Sequence, residues 1–381
     1  MKIGIIHSYY SNLGKSGENN VVDAQIEVLL NKGHQLQIFS SSSLEKNTNS
    51  LYKFRSGINV LAGIGDDPQE ALDTFKPDVI LSHNLFPNIS TGWLKKFGHK
   101  TYSFKHNYRD ICASGNLYRN ANVCVLCVNG TSLNGFLNKC YKDSALMSLP
   151  ISLRNSFKIG FRPELNGPRK FLVLSNKMKE ILLSTQVPIE KFEVIPNFIS
   201  DPYFGNVNSE NRSNGWVASG RLTREKGFSE LIDFWPNSYK LDIYGEGPLL
   251  EELKIKTKNI ENISIKGGVS RTNLSKLLPS YIGAILPSRW FEPGPLTVLE
   301  YLAAGLPIIS SGVWSDAAGL DISNHIDTHG MSNEEITQRL SNLIRQIESK
   351  FKETSNSQRE RYLREFTSDV WYGRLIEIIE G

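Results

Sequence analysis

The sequence predicts an α/β protein built from two doubly wound domains facing across a cleft. Three observations carry this. The chain has 381 residues, which at roughly 150 residues per domain is enough for two. Its first third alternates strand-like and helix-like segments at the spacing of βαβ units, which build parallel sheets. A second series of the same kind follows a polar stretch, 201–215, that holds Pro, Gly, Asn and Ser and little that could pack.

The elements follow in order. Residues 2–7 form an apolar strand of the buried kind. Residues 21–32 carry apolar side chains at helical spacing, and Gly33 ends that helix. Residues 35–39 are the next strand, and 40–50 are a polar loop. Strands follow at 78–82 and 100–105. After the polar stretch come a strand at 216–219, a helix at 228–234, a strand at 240–244 and a helix at 248–257 with Pro248 at its start. Strands at 263–266, 283–286 and 307–310 continue the series. An apolar helix at 296–304 is closed by Gly305, and the tail is helical near 334–351 and 369–379. In doubly wound sheets ligands bind at the carboxyl ends of the strands.

Composition excludes several classes. Hydrophobic residues make up 40% of the chain and charged residues 22%, which is ordinary for a globular protein and not for a disordered one. The net charge of +4 is too mild for a protein that coats nucleic acid. No apolar run approaches the roughly 20 residues that span a bilayer. The N-terminus turns polar too soon for a signal peptide, so a cytoplasmic protein is expected. The charge is uneven, however. Residues 85–171 hold 13 Lys and Arg against three acids, Asp110, Asp143 and Glu164. That segment is either a solvated face or a surface for an anionic partner. It also holds all four cysteines, Cys112, Cys124, Cys127 and Cys140. Their C-x11-C-x2-C-x12-C spacing fits either a structural tetrahedral zinc site or four free thiols.

Four segments carry chemistry. Glu292 and Glu300 flank a Pro/Gly loop and the first turn of a helix (Glu292-Pro293-Gly294-Pro295-Leu296-Thr297-Val298-Leu299-Glu300). Free N–H groups at such a helix start suit a phosphate, and the carboxylates can accept from sugar and ribose hydroxyls. Arg221 and Lys226, after a strand that ends at Gly220, offer a planar fork and a point charge for a diphosphate. The loop between Tyr9 and Asn20 holds Gly14 and Gly17, where backbone N–H groups could approach a ligand. His106-Asn107-Tyr108-Arg109 stands at the end of the fourth strand.

Together these motifs resemble glycosyltransferase family 4. The donor-binding signature is Glu292-x7-Glu300 followed by Ala303-Ala304-Gly305-Leu306-Pro307-Ile308. Gly220-Arg221-Leu222 with Lys226-Gly227, Val194-Ile195-Pro196-Asn197 and Tyr244-Gly245-Glu246-Gly247-Pro248 are similar to further stretches of that family. His106-Asn107-Tyr108-Arg109 with the four cysteines and Cys140-Tyr141-Lys142-Asp143 resembles one branch of it. The resemblance covers roughly residues 2–312.

The resemblance implies a GT-B fold of two Rossmann-like domains, 1–200 binding the acceptor and 201–361 the nucleotide-sugar donor, with a tail helix (362–381) crossing back. It implies retaining transfer of a hexose or N-acetylhexosamine from a UDP- or GDP-linked sugar to a glycan or lipid-linked acceptor in surface polysaccharide biosynthesis. No cofactor is required on that reading, since no Asp-x-Asp is present to hold a metal. Arg221 and Lys226 would neutralise the leaving diphosphate. Glu300 would hold the ribose. Glu292, with backbone groups at Gly294, Leu296 and Thr297, would hold the donor sugar and phosphate. His106 would contact the sugar near its reacting carbon, Gly17 would line the phosphate side, and Lys266 and Gly267 would meet the base. The basic segment then points to peripheral contact with an anionic membrane at the inner face of the plasma membrane.

This chain departs from the family's pattern in three places. The usual Glu-Pro-Phe-Gly-Leu is Glu-Pro-Gly-Pro-Leu here, and Pro295 removes one backbone donor. Ser16-Gly17 replaces Gly-Gly, and Val313-Trp314-Ser315-Asp316 replaces Gly-x-Pro-Glu. The competing readings are a GT-B epimerase or hydrolase of nucleotide sugars and an inactive nucleotide-sugar-binding module.

Overall fold

The computed structural model describes residues 1–10, 16–43, 52–204, 207, 212, 214–311 and 324–381. Gly14, residues 44–50 of the first polar loop, residues 205–206, 208–211 and 213 of the second, and Val313-Trp314-Ser315-Asp316 lie outside the described residues. The chain divides into two compact units. The first holds Met1–Leu117, Cys124–Pro196 and Tyr372–Gly381, and the second holds Tyr118–Val123 and Asn197–Trp371.

The strands, in chain order, are β1 (Lys2–Tyr9), β2 (Gln35–Ser42), β3 (Val79–Ser82), β4 (Thr101–Lys105), β5 (Tyr118–Arg119), β6 (Asn122–Val123), β7 (Lys170–Val173) and β8 (Phe192–Val194). They continue with β9 (Trp216–Ser219), β10 (Leu241–Tyr244), β11 (Ile263–Gly267), β12 (Gly283–Leu286), β13 (Ile308–Ser311) and β14 (His325–Ile326). The first unit's sheet has the order β2-β1-β3-β4-β7-β8 and the second unit's β11-β10-β9-β12-β13-β14. Every ladder in both sheets is parallel. Strand order reverses between β1 and β3 in one sheet and between β9 and β12 in the other. Those are the switch points where crevices open in doubly wound sheets.

Parallel strands covered on both faces read as continuous apolar runs. Ile3, Ile5 and Ile6 in β1, Ile80 and Leu81 in β3, and Phe171, Leu172 and Val173 in β7 are all buried. In the second unit, side-chain alternation along β9 divides the core in two. Trp216 and Ala218 pack with Ile243, Ile285 and Ile309 on one face. Val217 packs with Leu286, Tyr301, Leu302 and Tyr362 on the other.

Several helices differ from the sequence pattern, each for a local reason. The first helix is Gly17–Asn31, four residues longer at its start than expected, because Ser16 caps it by accepting the Asn19 N–H at 3.1 Å. Its polar first turn holds no apolar period to detect. The helix after β10 is Leu250–Thr257, so Pro248 precedes it rather than opening it. The tail run is two helices, Asn333–Ser349, with a Ser332/Glu335 capping box, and Phe351–Glu365. Helices at Tyr52–Ala62, Gln69–Phe75 and Ala145–Ser156 are additional to the sequence pattern, and the last carries Pro150 inside it. The final helix, Ser368–Glu380, ends in the first unit, where the Tyr102 hydroxyl donates to the Ile379 carbonyl at 3.2 Å.

One glycine fixes the path of the chain beside β9. Gly227 has φ +72°, and a Cβ there would lie 2.0 Å from the Pro287 carbonyl oxygen. Gly267 has φ +75°, and a Cβ there would meet nothing within 4 Å, so backbone strain alone acts at that position. Gly227→Ala is therefore expected to lower unfolding free energy by more than about 2 kcal/mol, and Gly267→Ala by about 1 kcal/mol. Denaturant titration of the two variants checks the order; equal losses would refute the close-approach account.

Candidate active site

In the second unit the site is assembled at the carboxyl ends of β9 and β12. β9 ends at Ser219, and the chain runs through Gly220 and Arg221 into a 3₁₀ turn, Arg224–Lys226. β12 ends at Leu286 and leads through Ser288 to Glu292. Lys226 Nζ lies 2.5 Å from Glu292 Oε1, and the Ser288 hydroxyl donates to the same oxygen at 2.5 Å. Glu292 is only 3% exposed. Burial alone would raise its carboxyl's pKa. The Lys226 charge, with hydrogen bonds from Lys226 and Ser288, outweighs burial and holds it below the usual value. Lys226 also sits 5.5 Å over the Trp290 ring, which adds a cation–π contact. Glu292 is thus a fixed, ionised acceptor and Lys226 a fixed cation.

Arg221 differs. Its side chain is 71% exposed, and its ion pair with Glu225 is long at 3.7 Å. Such a pair holds little energy in water. Its guanidinium stands largely open to solvent.

The helix Leu296–Ala303 begins directly after the Glu292 loop. Pro295 is its N-cap and offers neither a side-chain cap nor an N–H. The Val298 N–H returns to the Pro295 carbonyl at 3.2 Å, while the N–H groups of Leu296 and Thr297 belong to the first turn, which has no intrahelical acceptors. The Asn197 side-chain amide donates to the Gly294 carbonyl at 2.9 Å and pins the loop. In the sequence Asn197 stands only as part of a motif before the linker, and its role as a strut leaves no local signal. Glu300, one turn into the helix, pairs with Arg271 at 3.2 Å. Burial pushes its carboxyl up, with Arg271 opposing. Tyr301 ties the helix to β9: its hydroxyl accepts the Ser219 N–H at 2.7 Å and shares a 2.7 Å hydrogen bond with the Ser219 hydroxyl. Sequence reasoning misses this tie too, because an apolar helical stripe hides a polar tip.

Lys266 and Gly267 end β11. Lys266 pairs with Asp242 at 3.2 Å, and Asp242 also accepts the Tyr281 hydroxyl at 2.6 Å. The Gly267 carbonyl accepts the Gly245 N–H at 2.8 Å. The second unit therefore gathers Arg221, Lys226, Glu292, Gly294, Leu296, Thr297 and Glu300 around the β9/β12 switch point, with Lys266 and Gly267 at the next-but-one strand end.

The first unit carries a separate polar centre at the ends of β1, β3 and β4. A cavity there is lined by Glu18, Asn84, His83, His106, Asn107 and Arg109 among others. His106 Nε2 is 3.0 Å from His83 Nδ1. Burial, then Lys105, push the His106 imidazole down to about 3. Burial, His106 and His7 push His83 well below its usual value, while burial lowers His7 against the opposing Glu18 charge and Asn19 hydrogen bond. All three imidazoles are neutral at neutral pH. Glu18 accepts the Tyr10 hydroxyl at 2.7 Å, and burial raises its carboxyl. At Gly17 a Cβ would meet nothing within 4 Å, so space does not demand glycine there.

The four cysteines lie near one another. Burial first, then the other three thiols, push Cys127 up to about 12. None of the four is in a disulfide. Cys112 Sγ is 3.1 Å from the Ser114 hydroxyl, and Cys127 Sγ is 4.0 Å from the Ser132 carbonyl oxygen. Among the described residues no three His, Cys, Asp or Glu side chains converge so as to hold a metal ion.

Part of the basic segment is consumed internally. Lys105 pairs with Asp110 at 2.8 Å, Arg154 with Glu164 at 2.7 Å, and Arg162 with Glu164 at 3.1 Å. Arg154 and Arg162 are buried. Lys139, Lys142 and Lys158 are exposed, as are the large apolar side chains of Leu137, Leu146 and Phe161. Among the described residues no helix is long and apolar enough to cross a membrane.

Comparison with known proteins gives this geometry a context. Residues 202–316 match the family model for glycosyl transferases group 1. Over 192 residues the chain is 29% identical to the amylovoran biosynthesis glycosyltransferase AmsD of Erwinia amylovora, covering 46% of this chain and 52% of that protein. It is 30% identical over 164 residues to an uncharacterized glycosyltransferase of Methanocaldococcus jannaschii, covering 37% and 42%. The chain spans about half the length of the curated relatives it matches. Among solved structures, the apo form of the lipopolysaccharide outer core galactosyltransferase WaaB is similar, with TM-score 0.62 at 16% identity, covering 100% of this chain and 99% of that one. HepE of Anabaena, in complex with UDP and glucose, gives TM-score 0.61 at 12% identity, with 100% and 99% covered. The chain has the fold of the GT-B glycosyltransferases, and its second unit carries the segment that matches the group 1 family.

Proposed function

We propose that the protein is a retaining glycosyltransferase that moves a hexose or N-acetylhexosamine from a nucleotide sugar to a glycan or lipid-linked acceptor in surface polysaccharide biosynthesis. The observation that carries this is the buried Lys226–Glu292 pair beside the exposed Arg221 and the open first turn of the Leu296–Ala303 helix. A relative named for amylovoran biosynthesis, a similar structure named for lipopolysaccharide outer core synthesis, and similar structures solved with UDP and with UDP-glucose support the substrate class.

The chemistry follows from where charge develops. As the glycosidic bond to the diphosphate breaks, the leaving oxygen gains negative charge and the anomeric carbon becomes oxocarbenium-like. Lys226, held by Glu292, meets that developing charge as a preorganised cation, the solvent-facing Arg221 adds a second positive charge, and first-turn N–H groups add dipoles. Two cations at the diphosphate do the work that a divalent metal does elsewhere, so no cofactor is assigned. Ionised Glu292 accepts from sugar hydroxyls, and Glu300 accepts from the ribose pair. Lys266 and Gly267 are the groups assigned to the base, and Gly17 is assigned to the phosphate side. The protein works in the cytoplasm at the inner face of the plasma membrane. There exposed lysines meet anionic headgroups at about 1 kcal/mol each, and Leu137, Leu146 and Phe161 are exposed beside them.

Arg221→Ala and Lys226→Ala are each expected to lower turnover by roughly 10²-fold or more, as for loss of a comparable electrostatic donor. Single-turnover assays with radiolabelled UDP- and GDP-sugars check this, and near-normal rates in both variants would sink the assignment. Donor consumption without any acceptor would favour the epimerase or hydrolase instead. Sedimentation with phosphatidylglycerol vesicles is expected to pull the protein down at low salt and release it at high salt. Absence of salt-sensitive binding would return the basic segment to an ordinary solvated face.

A further inference from the structure

We propose that His83 is a positioning residue that fixes the tautomer of His106, so that the pair presents a neutral Nδ1–H donor to the first unit's cavity. The proposal rests on the reading that this cavity receives a sugar, and it sharpens what the cavity can recognise there.

The geometry is specific. His83 Nδ1 and His106 Nε2 are 3.0 Å apart, and the rings are near parallel, 21° between planes with centroids at 5.3 Å. His83 also stacks on Phe104 at 4.8 Å. It is 5% exposed, and its Nε2 is buried without a hydrogen-bond partner. His106 lines the cavity, and its Nδ1 has no hydrogen-bond partner among the described residues. The groups that act on the pair are Lys105, which disfavours a positive His106 and is itself paired with Asp110, and His7, whose ring lies 6.0 Å from that of His83; Glu18 and Arg109 line the same cavity.

With both rings neutral, one proton lies between the two facing nitrogens, and only two arrangements exist. In the first, His106 donates from Nε2 to His83 Nδ1. The His83 proton must then sit on Nε2, a buried N–H with no acceptor. In the second, His83 donates from Nδ1, and its Nε2 is left with a spare lone pair. Buried N–H groups without acceptors are rarer than buried acceptors with unused lone pairs. The second arrangement is favoured. His106 Nε2 is then an acceptor, so the His106 proton is on Nδ1, the nitrogen left for the cavity. A neutral donor suits the oxygen of an uncharged polyol and cannot take a proton from it. Each ring nitrogen reports its own protonation state by resonance.

Long-range proton–nitrogen correlation spectra of labelled protein at neutral pH test this without any substrate. The expected result is protonation at Nδ1 in both His83 and His106. In His83→Phe the His106 proton is expected to move to Nε2. In His83→Asn, whose amide nitrogen takes the place of Nδ1, it is expected to stay on Nδ1. An Nε2-protonated His106 in the wild type, or an unmoved proton in a folded His83→Phe protein, would overturn the proposal. Folding is verified by the dispersion of the remaining resonances, and the Asn variant supplies the comparison if the Phe variant fails to fold: loss of Nδ1 protonation there also overturns it. Titrating a panel of UDP- and GDP-linked hexoses and N-acetylhexosamines into the wild type separates the two ideas, since failure of every one to bind refutes the donor reading and leaves the tautomer result standing.

Discussion

The second unit depends on a buried ion pair. Lys226 and Glu292 meet at 2.5 Å where the ends of two neighbouring strands are joined by their loops. Removing one partner of such a pair leaves an uncompensated charge in the protein, which typically costs about 3–5 kcal/mol. The pair is therefore weak as a source of net stability and strong as a constraint on geometry. It fixes Glu292 as an ionised acceptor before any ligand arrives. The Gly227 turn against Pro287 and the Ser288 hydroxyl on Glu292 serve the same arrangement. Asn197 on Gly294 and Tyr301 on Ser219 brace the loop and the helix that follow.

The two units present different electrostatics. The second offers cations and N–H dipoles at a switch point, suited to an anion that gains charge. The first offers three neutral imidazoles and a carboxyl raised by burial, suited to uncharged hydroxyls. That contrast matches a reaction in which one substrate carries a diphosphate and the other brings a hydroxyl.

Much of this is legible in the sequence. Glu292, Glu300, Arg221 and Lys226 stand out because carboxylates and cations at fixed spacing around Gly and Pro have few structural uses. The strands are legible because parallel, doubly covered strands are apolar along their length. Other features are not. Asn197 and Tyr301 act through single hydrogen bonds to distant backbone groups, which leave no local pattern. His83 gains meaning only when β3 and β4 place it beside His106. The helix at Ala145–Ser156 is hidden by Pro150, a residue that usually ends a helix. The cysteine spacing fits either a zinc site or separate thiols, and sequence alone does not choose between them. Spacing along the chain does not fix the directions of thiols carried on loops.

On the proposed function, Lys226 and Arg221 at the β9/β12 switch point bind a nucleotide diphosphate without a metal. Calorimetric titration of UDP and GDP into the wild-type protein with a chelator present tests it most directly. One-to-one binding of one of the two nucleotides, weakened by salt, is the predicted result. Binding that appears only when a divalent cation is supplied would contradict it.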